Sequence, residues 1–189
     1  MSLPFGDHLA EHRELFARLD ALAPEVQRAA ELIAAALRAG GKVMFCGNGG
    51  SAADSQHLAS EFTGRFVDDR RPLAALALST DSSALTCIAN DYAFDQVFER
   101  QLRGLGRPGD VLVAISTSGR SANVQRAALA ARELGIGVIG LLGRDGGTLK
   151  AASDIALVVP SQSTARIQEA HIFIGHTLCA LVEASLDLA

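Results

Sequence analysis

The sequence predicts an α/β fold, in which an open parallel β-sheet carries helices on both sides in a three-layer α/β/α sandwich. Two observations lead to this prediction. Five short runs are apolar throughout, which is typical of strands buried on both faces of a parallel sheet. Segments with the spacing of amphipathic helices separate these runs, so strands and helices alternate along the chain.

The composition is that of one globular domain. The 189 residues are 49% hydrophobic and 20% charged, which suits a chain with a sizeable core. We expect a single domain over residues 1–189, with a helical pair in residues 1–41 and the α/β core with the last helix in residues 42–189.

Charge and hydropathy exclude two classes of partner. The formal net charge of −4 argues against a nucleic-acid-binding surface. No apolar run approaches the roughly 18 residues that a membrane span needs, and no charged and then apolar leader opens the chain.

Cys46, Cys87 and Cys179 are widely spaced in apolar surroundings, so we expect buried thiols in a reducing compartment. A cytoplasmic protein without a membrane partner is the expectation.

Two helices are predicted before the first strand. Residues Met1–Gly6 are expected to be a loose end, and apolar spacing predicts an amphipathic helix over Asp7–Leu22. Pro24 begins a second helix, which ends at the glycines 40 and 41. These helices either cover a face of the sheet or pack against another subunit.

The alternating part of the chain follows. The predicted strands are Val43–Cys46, Leu73–Leu78, Asp110–Ile115, Gly137–Leu142 and Asp154–Val159. The predicted helices are Ala52–Thr63, Ser83–Ile88 with Phe94–Leu105, Ser121–Leu134, a short one near Leu149, and Ile167–Leu186. Ligands of such sheets bind at the carboxyl ends of the strands.

The end of the first strand is a glycine turn. The sequence Gly47-Asn48-Gly49-Gly50 breaks the strand, and Ser51 is expected to cap the following helix. Backbone N–H groups and the helix dipole converge at such a turn and form an anion site. The turn has neither the lysine of a Walker loop nor the glycine spacing of a dinucleotide fold.

One helix face beyond this turn carries an imidazole and a carboxylate. His57 and Glu61 stand four residues apart and therefore share a face of the helix. Such a pair is either a solvated surface pair or part of a reactive site, and the spacing leaves both open.

A second polar strand end follows Ile115. Ser116, Thr117, Ser118 and Ser121 offer four hydroxyls around Gly119, just before a helix. Helix capping accounts for one or two of them. Four clustered hydroxyls at a helix N-terminus indicate a site for a phosphate monoester.

The last helix carries a polar pair on an apolar segment. Gln168 and His176 are eight residues apart, which places them within about 80° of each other but about 12 Å apart along the axis. They are hydrogen-bonded in the core, reach one ion by leaning together, or serve a neighbouring subunit.

Three segments in this order carry a family resemblance: CGNGGSAADSQHLASEFTGR, STSGRSANV and RIQEAHIFIGH. Together with Asn90-Asp91 they resemble the sugar isomerase (SIS) domain family, and within it the phosphoheptose isomerases, from about residue 20 onward. The resemblance implies a flavodoxin-like sheet and a homotetramer with active sites at subunit contacts. It also implies conversion of sedoheptulose 7-phosphate to D-glycero-D-manno-heptose 7-phosphate, a step toward bacterial lipopolysaccharide.

The resemblance also implies roles for single residues. One zinc ion per subunit would be held by His57, Glu61, Gln168 and His176, and the acid/base pair would be Glu61 and His176. Substrate contacts would fall on Asn48, Gly49, Gly50, Ser51, Glu61, Asn90, Asp91, Ser116, Thr117, Ser118, Ser121 and Gln168. Ala165 departs from the pattern, because some members carry an acidic residue there.

The implied chemistry is consistent with these residue types. An aldose–ketose isomerase moves a proton between C1 and C2 through an enediol, which needs a base and a proton shuttle for the oxygens. A carboxylate and an imidazole suit these roles, and zinc would polarise the carbonyl.

Two other functions compete with the isomerase. Similar SIS proteins form non-catalytic tetramers that bind the bacterial replication initiator, but those lack the acidic residue at Glu61 and the histidine at His176. A sugar-phosphate sensor domain of a regulator is the third reading, but no DNA-binding segment accompanies this one. The retained Glu61 and His176 favour the isomerase.

Overall fold

The computed structural model describes residues 4–188. Its centre is a five-stranded, all-parallel sheet in the order β2-β1-β3-β4-β5. The strands are β1 Val43–Cys46, β2 Ala75–Ala77, β3 Val111–Ser116, β4 Gly137–Gly143 and β5 Ile155–Val159. Each lies at a run that the sequence predicts as a strand, so the parallel sheet is confirmed.

Helices cover both faces of this sheet. They are α1 Pro4–Phe16, α2 Ala23–Arg38, α3 Gly50–Thr63, α4 Ser82–Asp91, α5 Val97–Leu105, α6 Ala122–Glu133, α7 Gly147–Ala152 and α8 Thr164–Ser185, with 3-10 turns at Leu19–Leu22 and Phe94–Gln96. One apolar cluster joins the sheet to α2, α3 and α8, and a second joins it to α5, α6 and α7. The three-layer fold is therefore confirmed.

The side chains of β1 show how the two layers form. Val43 and Phe45 point into the first cluster, whereas Met44 and Cys46 point into the second. All four are at most 2% exposed, as expected for a strand whose alternate side chains face opposite layers. Burial of a side chain as large as Phe45 contributes about 1.5–3 kcal/mol to the stability of the fold. Each face of β1 therefore helps to hold one layer of helices on the sheet.

The N-terminal segment differs from the prediction in two ways. The first helix includes Pro4, Phe5 and Gly6, which were expected to lie in the loose end. It ends at Phe16, and the chain changes direction before the 3-10 turn, with Leu15 and Leu19 buried on either side of the break. Met1–Leu3, the rest of the expected loose end, lie outside the described residues.

One of the three cysteines also differs from the prediction. Cys46 and Cys179 are buried, and burial raises the pKa of each thiol to about 12. Cys87 is exposed instead, and its Sγ lies 3.4 Å from Asp91 Oδ2. The reason is that α4 lies on the surface, with none of residues 82–91 buried.

The strand order places a crevice between β1 and β3. The chain passes from β1 to β2 on one side and from β3 to β4 and β5 on the other, so the direction of winding reverses there. At the opposite end of these strands, where β1 and β3 begin, Asp110 joins them, because its Oδ1 accepts a 2.9 Å bond from the Lys42 N–H. Ligands of open α/β sheets bind at such a reversal, outside the carboxyl ends of the strands.

Within residues 4–188, no helix has the length and apolar character needed to cross a membrane.

Candidate active site

The glycine turn lies at the carboxyl end of β1. Gly49 has a φ of +56°, which favours glycine, and it occupies the N-cap position of α3. The prediction that Ser51 caps this helix is wrong, because α3 already begins at Gly50. Ser51 is instead buried at 3% exposure in the first turn, and its carbonyl accepts a 2.7 Å bond from Ser55 Oγ.

The serine loop, residues 116–121, lies at the carboxyl end of β3. Ser116 Oγ lies 3.0 Å from Ser121 Oγ and 3.5 Å from Ser118 Oγ, so three of the four predicted hydroxyls form one cluster. The Arg120 N–H donates a 3.2 Å bond to Ser118 Oγ. Gly119 has a φ of +65° and packs so closely on Gly146 that a side chain would collide with its carbonyl. The loop is thus held tightly at the start of α6.

An amide pair joins the glycine turn to the serine loop. Asn48 Nδ2 donates to Asn123 Oδ1, and Asn123 Nδ2 donates back to Asn48 Oδ1, both at 2.8 Å. Asn123 Oδ1 also accepts from the N–H of Val124 at 2.9 Å. The sequence reading missed Asn123, although it lies in the STSGRSANV segment and is buried at 3% exposure. A buried amide in the first turn of a helix is the signal that points to it.

Gln168 lies beside the glycine turn. A side chain at Gly50 would collide with the Gln168 amide, so α8 approaches the N-terminus of α3 closely at this point. The structure thus gathers the glycine turn, the serine loop and Gln168 at the sheet edge that the carboxyl ends of the strands form. About 12 Å of helix axis separates Gln168 from His176.

A second group of predicted residues forms a cluster on α3 and α8. His57 Nε2 lies 2.8 Å from His176 Nε2 and 3.3 Å from Glu61 Oε1. Each of the three residues offers a ligand atom within 4.8 Å of the others. Two imidazole nitrogens and one carboxylate oxygen are ligands that suit zinc in an open, catalytic type of site. The donor set therefore fits a zinc ion.

A buried ion pair lies at the C-terminal end of α3, next to this cluster. The side chains of Arg70 and Glu183 are 3% and 5% exposed, and Arg70 Nε donates a 2.6 Å bond to Glu183 Oε1. The same guanidinium donates to the carbonyls of Glu61 at 2.7 Å and Phe62 at 2.9 Å. It therefore closes the C-terminal end of α3 and ties it to α8. The sequence reading missed this pair, which distant residues form.

Asp54 stands one helical turn before His57. Burial raises the pKa of its carboxyl group, and the nearby His57 charge acts in the opposite direction. Its Oδ2 is buried and has no hydrogen-bond partner among residues 4–188. A half-buried carboxyl group therefore borders the cluster.

Asn90 and Asp91 lie in the last turn of α4. Asn90 Nδ2 donates a 2.8 Å bond to Asp91 Oδ1, and both residues are exposed. The bond from Asn90, followed by that from Cys87, lowers the pKa of the Asp91 carboxyl group. Among residues 4–188, their side-chain hydrogen bonds are with each other and with Cys87 of the same helix.

One chain thus presents the predicted site in three parts. The first is the sheet edge with the glycine turn, the serine loop and Gln168. The second is the cluster of His57, Glu61 and His176, which begins about 10 Å along α3 from Gly50. The third is the end of α4.

Comparison with known proteins identifies the chain. The SIS domain family matches residues 7–143. The phosphoheptose isomerase of Rhodospirillum rubrum is 56% identical over 173 residues, which cover 92% of each chain. This chain belongs to the phosphoheptose isomerase family of SIS domain proteins. The resemblance that the three segments carry is thereby confirmed.

Solved structures of the family have the same fold. The phosphoheptose isomerase GmhA from Neisseria gonorrhoeae is 49% identical and superposes with a TM-score of 0.91 over 96% of this chain and 97% of that one. The phosphoheptose isomerase from Francisella tularensis is 37% identical, with a TM-score of 0.93 over the same shares. The SIS fold predicted from the sequence is therefore confirmed over nearly the whole chain.

Proposed function

We propose that this chain is the aldose–ketose isomerase that converts sedoheptulose 7-phosphate to D-glycero-D-manno-heptose 7-phosphate. The observation that carries the proposal is the cluster of Glu61 and His176 in a chain 56% identical to a phosphoheptose isomerase. A carboxylate and an imidazole on one surface are the groups that an enediol mechanism needs. The non-catalytic partner of a replication initiator is not favoured, because relatives that are 56% and 52% identical are isomerases by name.

The phosphate of the substrate would bind in the serine loop. The hydroxyls of Ser116, Ser118 and Ser121 cluster before the N-terminus of α6, a 12-residue helix. Hydroxyl donors and the positive end of a helix dipole stabilise a phosphate dianion. Thr117 and the glycine-turn residues Asn48, Gly49, Gly50 and Ser51 would bind the rest of the phosphate and the nearest sugar hydroxyls.

Glu61 and His176 would move the protons. In our scheme Glu61 removes the proton from the sugar carbon next to the carbonyl and returns it to the neighbouring carbon. His176 passes a proton between the two substrate oxygens, so that the enediol forms without a free oxyanion. Asn90, Asp91 and Gln168 would hold hydroxyls of the sugar chain.

We propose one zinc ion per subunit as the cofactor, held by His57, Glu61 and His176 with Gln168 as a further ligand. When bound, zinc supplies a positive charge that polarises the carbonyl group. Glu61 and His176 keep their acid–base roles in the scheme above. The Gln168 amide lies beside Gly50 in its own chain, so a Gln168 from a neighbouring copy is the one that we assign to this site.

We propose a homotetramer in which each active site draws on more than one copy. The separation of the Gln168 contact at Gly50 from the His57 cluster, about 10 Å along α3, supports this arrangement. An apolar groove of about 340 Å³ between the N-terminal helices and α8 supports it too, with Phe173 at its rim 48% exposed. Exposed Tyr92 and Phe94 beyond α4 offer a second apolar surface beside Asn90 and Asp91. Large exposed apolar side chains of this kind mark contact surfaces.

The reaction would take place in the cytoplasm, where thiols such as Cys46 stay reduced. There it would supply heptose for lipopolysaccharide core synthesis. The direct experiment is to incubate the purified protein with sedoheptulose 7-phosphate and follow the aldose by NMR. Appearance of D-glycero-D-manno-heptose 7-phosphate is the expected result, and unchanged ketose after prolonged incubation with zinc present would contradict the proposal.

A further inference from the structure

The two helices that carry the His57 cluster pack unusually closely. Gly175 is buried in α8 and directly precedes His176, while Leu58 directly follows His57 on α3 and is 1% exposed. A Cβ atom at Gly175 would lie 2.5 Å from Leu58 Cδ2 and 2.6 Å from Leu58 Cδ1. The contact between Gly175 and Leu58 therefore lies immediately beside the contact between the two histidines.

Glycine in this position needs a physical reason. Apart from proline, it is the least favourable residue in the interior of a helix, because it has the most backbone freedom to lose. Gly175 lies in the middle of a 22-residue helix, and its conformation does not require glycine, because its φ is not positive. The close approach of Leu58 is what excludes a larger residue.

From this contact we infer that Gly175 is a positioning residue, which sets the distance between His57 and His176 by letting α8 approach α3. The inference rests on the proposed zinc site. The same helices also pack closely at Gly50 and Gln168, so the approach at Gly175 fixes the other end of one interface.

The size of the effect follows from the contact distances. The methyl group of an alanine at this position would be about 0.9 Å closer to Leu58 than the 3.4 Å at which ordinary contacts begin. Leu58 is surrounded by core residues, so part of the relief must come from movement of α8. Metal–ligand distances in proteins lie within about 0.2 Å of their usual values. A shift of a few tenths of an ångström is thus enough to weaken zinc binding.

The test compares zinc affinity, by competition with a chelator, between the wild type and Gly175→Ala. We expect an affinity loss of at least about tenfold, the range seen when groups that orient metal ligands are changed. The matched control is Gly104→Ala in α5, where an added Cβ meets nothing within 4 Å, and it should bind zinc as the wild type does. Wild-type affinity in Gly175→Ala would overturn the inference.

A rescue variant separates positioning from a general loss of stability. Leu58→Ala removes the atoms that the new methyl group meets, so Leu58→Ala/Gly175→Ala should bind zinc within about threefold of Leu58→Ala alone. If Gly175→Ala does not fold, Leu58→Val/Gly175→Ala is compared with Leu58→Val. The loss of zinc affinity in that pair should lie between the losses expected in the wild-type and Leu58→Ala backgrounds. Equal losses in all three backgrounds would overturn the inference.

A structural readout keeps the inference independent of the zinc proposal. If the wild type itself binds no zinc, the proposed cofactor is wrong, but the helix approach is still measurable. A crystal structure of Gly175→Ala should then show the His57 Nε2–His176 Nε2 distance increased beyond the 2.8 Å of the wild type. An unchanged distance would contradict the positioning role of Gly175.

Discussion

At the scale of single residues, burial decides the charge of His171. The side chain is fully buried in α8, and its Nε2 donates a 3.0 Å bond to the carbonyl of Leu142 at the end of β4. Burial lowers the pKa of this imidazole to about 4, with the Leu142 bond acting in the opposite direction. His171 is therefore neutral in the folded protein throughout the physiological range.

This shift predicts acid sensitivity. Below pH 6.5 the unfolded chain protonates His171 while the fold keeps it neutral down to about pH 4, so the unfolded state binds more protons and the free energy of unfolding decreases as the pH is lowered. From pH 7 to pH 5 this group should cost about 2 kcal/mol of unfolding free energy. Denaturant unfolding at fixed protein concentration measures it, and His171→Gln should lose that part of the pH dependence. An identical pH dependence in the variant would contradict the assignment.

Whether the sequence reveals a contact between two residues depends on how far apart they lie along the chain. His57 and Glu61 were readable from the sequence because they are one helical turn apart. The bonds of Asn123 to Asn48 and of Arg70 to Glu183 join residues 75 and 113 positions apart, and periodicity carries no information on such pairs. Those bonds position the site residues, so the sequence indicates the reactive groups better than their supports.

At the scale of elements, the serine loop is the part built for an anion. Its hydroxyls are turned toward one another at a helix start, and Gly119 and Gly146 hold its backbone. The amide pair of Asn48 and Asn123 ties it to the glycine turn. The loop is thus rigid before any ligand arrives, which lowers the entropy cost of binding.

The loop therefore predicts a loss of binding without a loss of fold. Ser118→Ala removes one hydroxyl donor to a charged phosphate, which typically costs about 1.5–3 kcal/mol, so KM for the sugar phosphate should rise by about tenfold or more. The melting temperature should change little, because Ser118 is only half-buried. The control is Ser153→Ala at the opposite sheet edge, which loses a bond to the Leu149 carbonyl. Equal KM values in both variants would count against the phosphate site.

Element boundaries show where sequence patterns suffice. The buried strands were predictable because both faces of a parallel sheet demand apolar residues, as in β3. The start of α3 was not, because the left-handed backbone at Gly49 lets the helix begin before Ser51. The exposure of Cys87 was not either, because apolar neighbours in the sequence do not show that α4 lies on the surface with none of its residues buried.

At the scale of the whole molecule, we propose that the site is complete only when copies assemble. The sheet edge and the His57 cluster lie at different points along α3, which Gln168 contacts at Gly50 and His176 contacts at His57. A cyclic or dihedral assembly repeats each contact, so one arrangement of copies would complete every site. Size-exclusion chromatography with light scattering should accordingly give four chains per particle.

Shared sites predict complementation between inactive variants. One variant carries Glu61→Gln, and the other carries Ser116→Ala/Ser118→Ala. Random reassembly of equal amounts should restore about a quarter of the wild-type activity, because a site needs one intact half from each of two copies. Activity is measured at substrate concentrations below KM. No recovery in verified mixed tetramers would place both halves of the site in one chain.

The most direct test of the isomerase itself is turnover of sedoheptulose 7-phosphate by Glu61→Gln. The change keeps the size of the side chain but removes the base, and a missing proton-transfer group typically costs about 10²–10⁴-fold in rate. Glu133→Gln, an equal change on the exposed face of α6, serves as the control and should retain wild-type turnover. We expect Glu61→Gln to lose at least 100-fold in kcat while the assembly stays folded. Full activity in Glu61→Gln would contradict the account, because it would remove the carboxylate from the proton transfer.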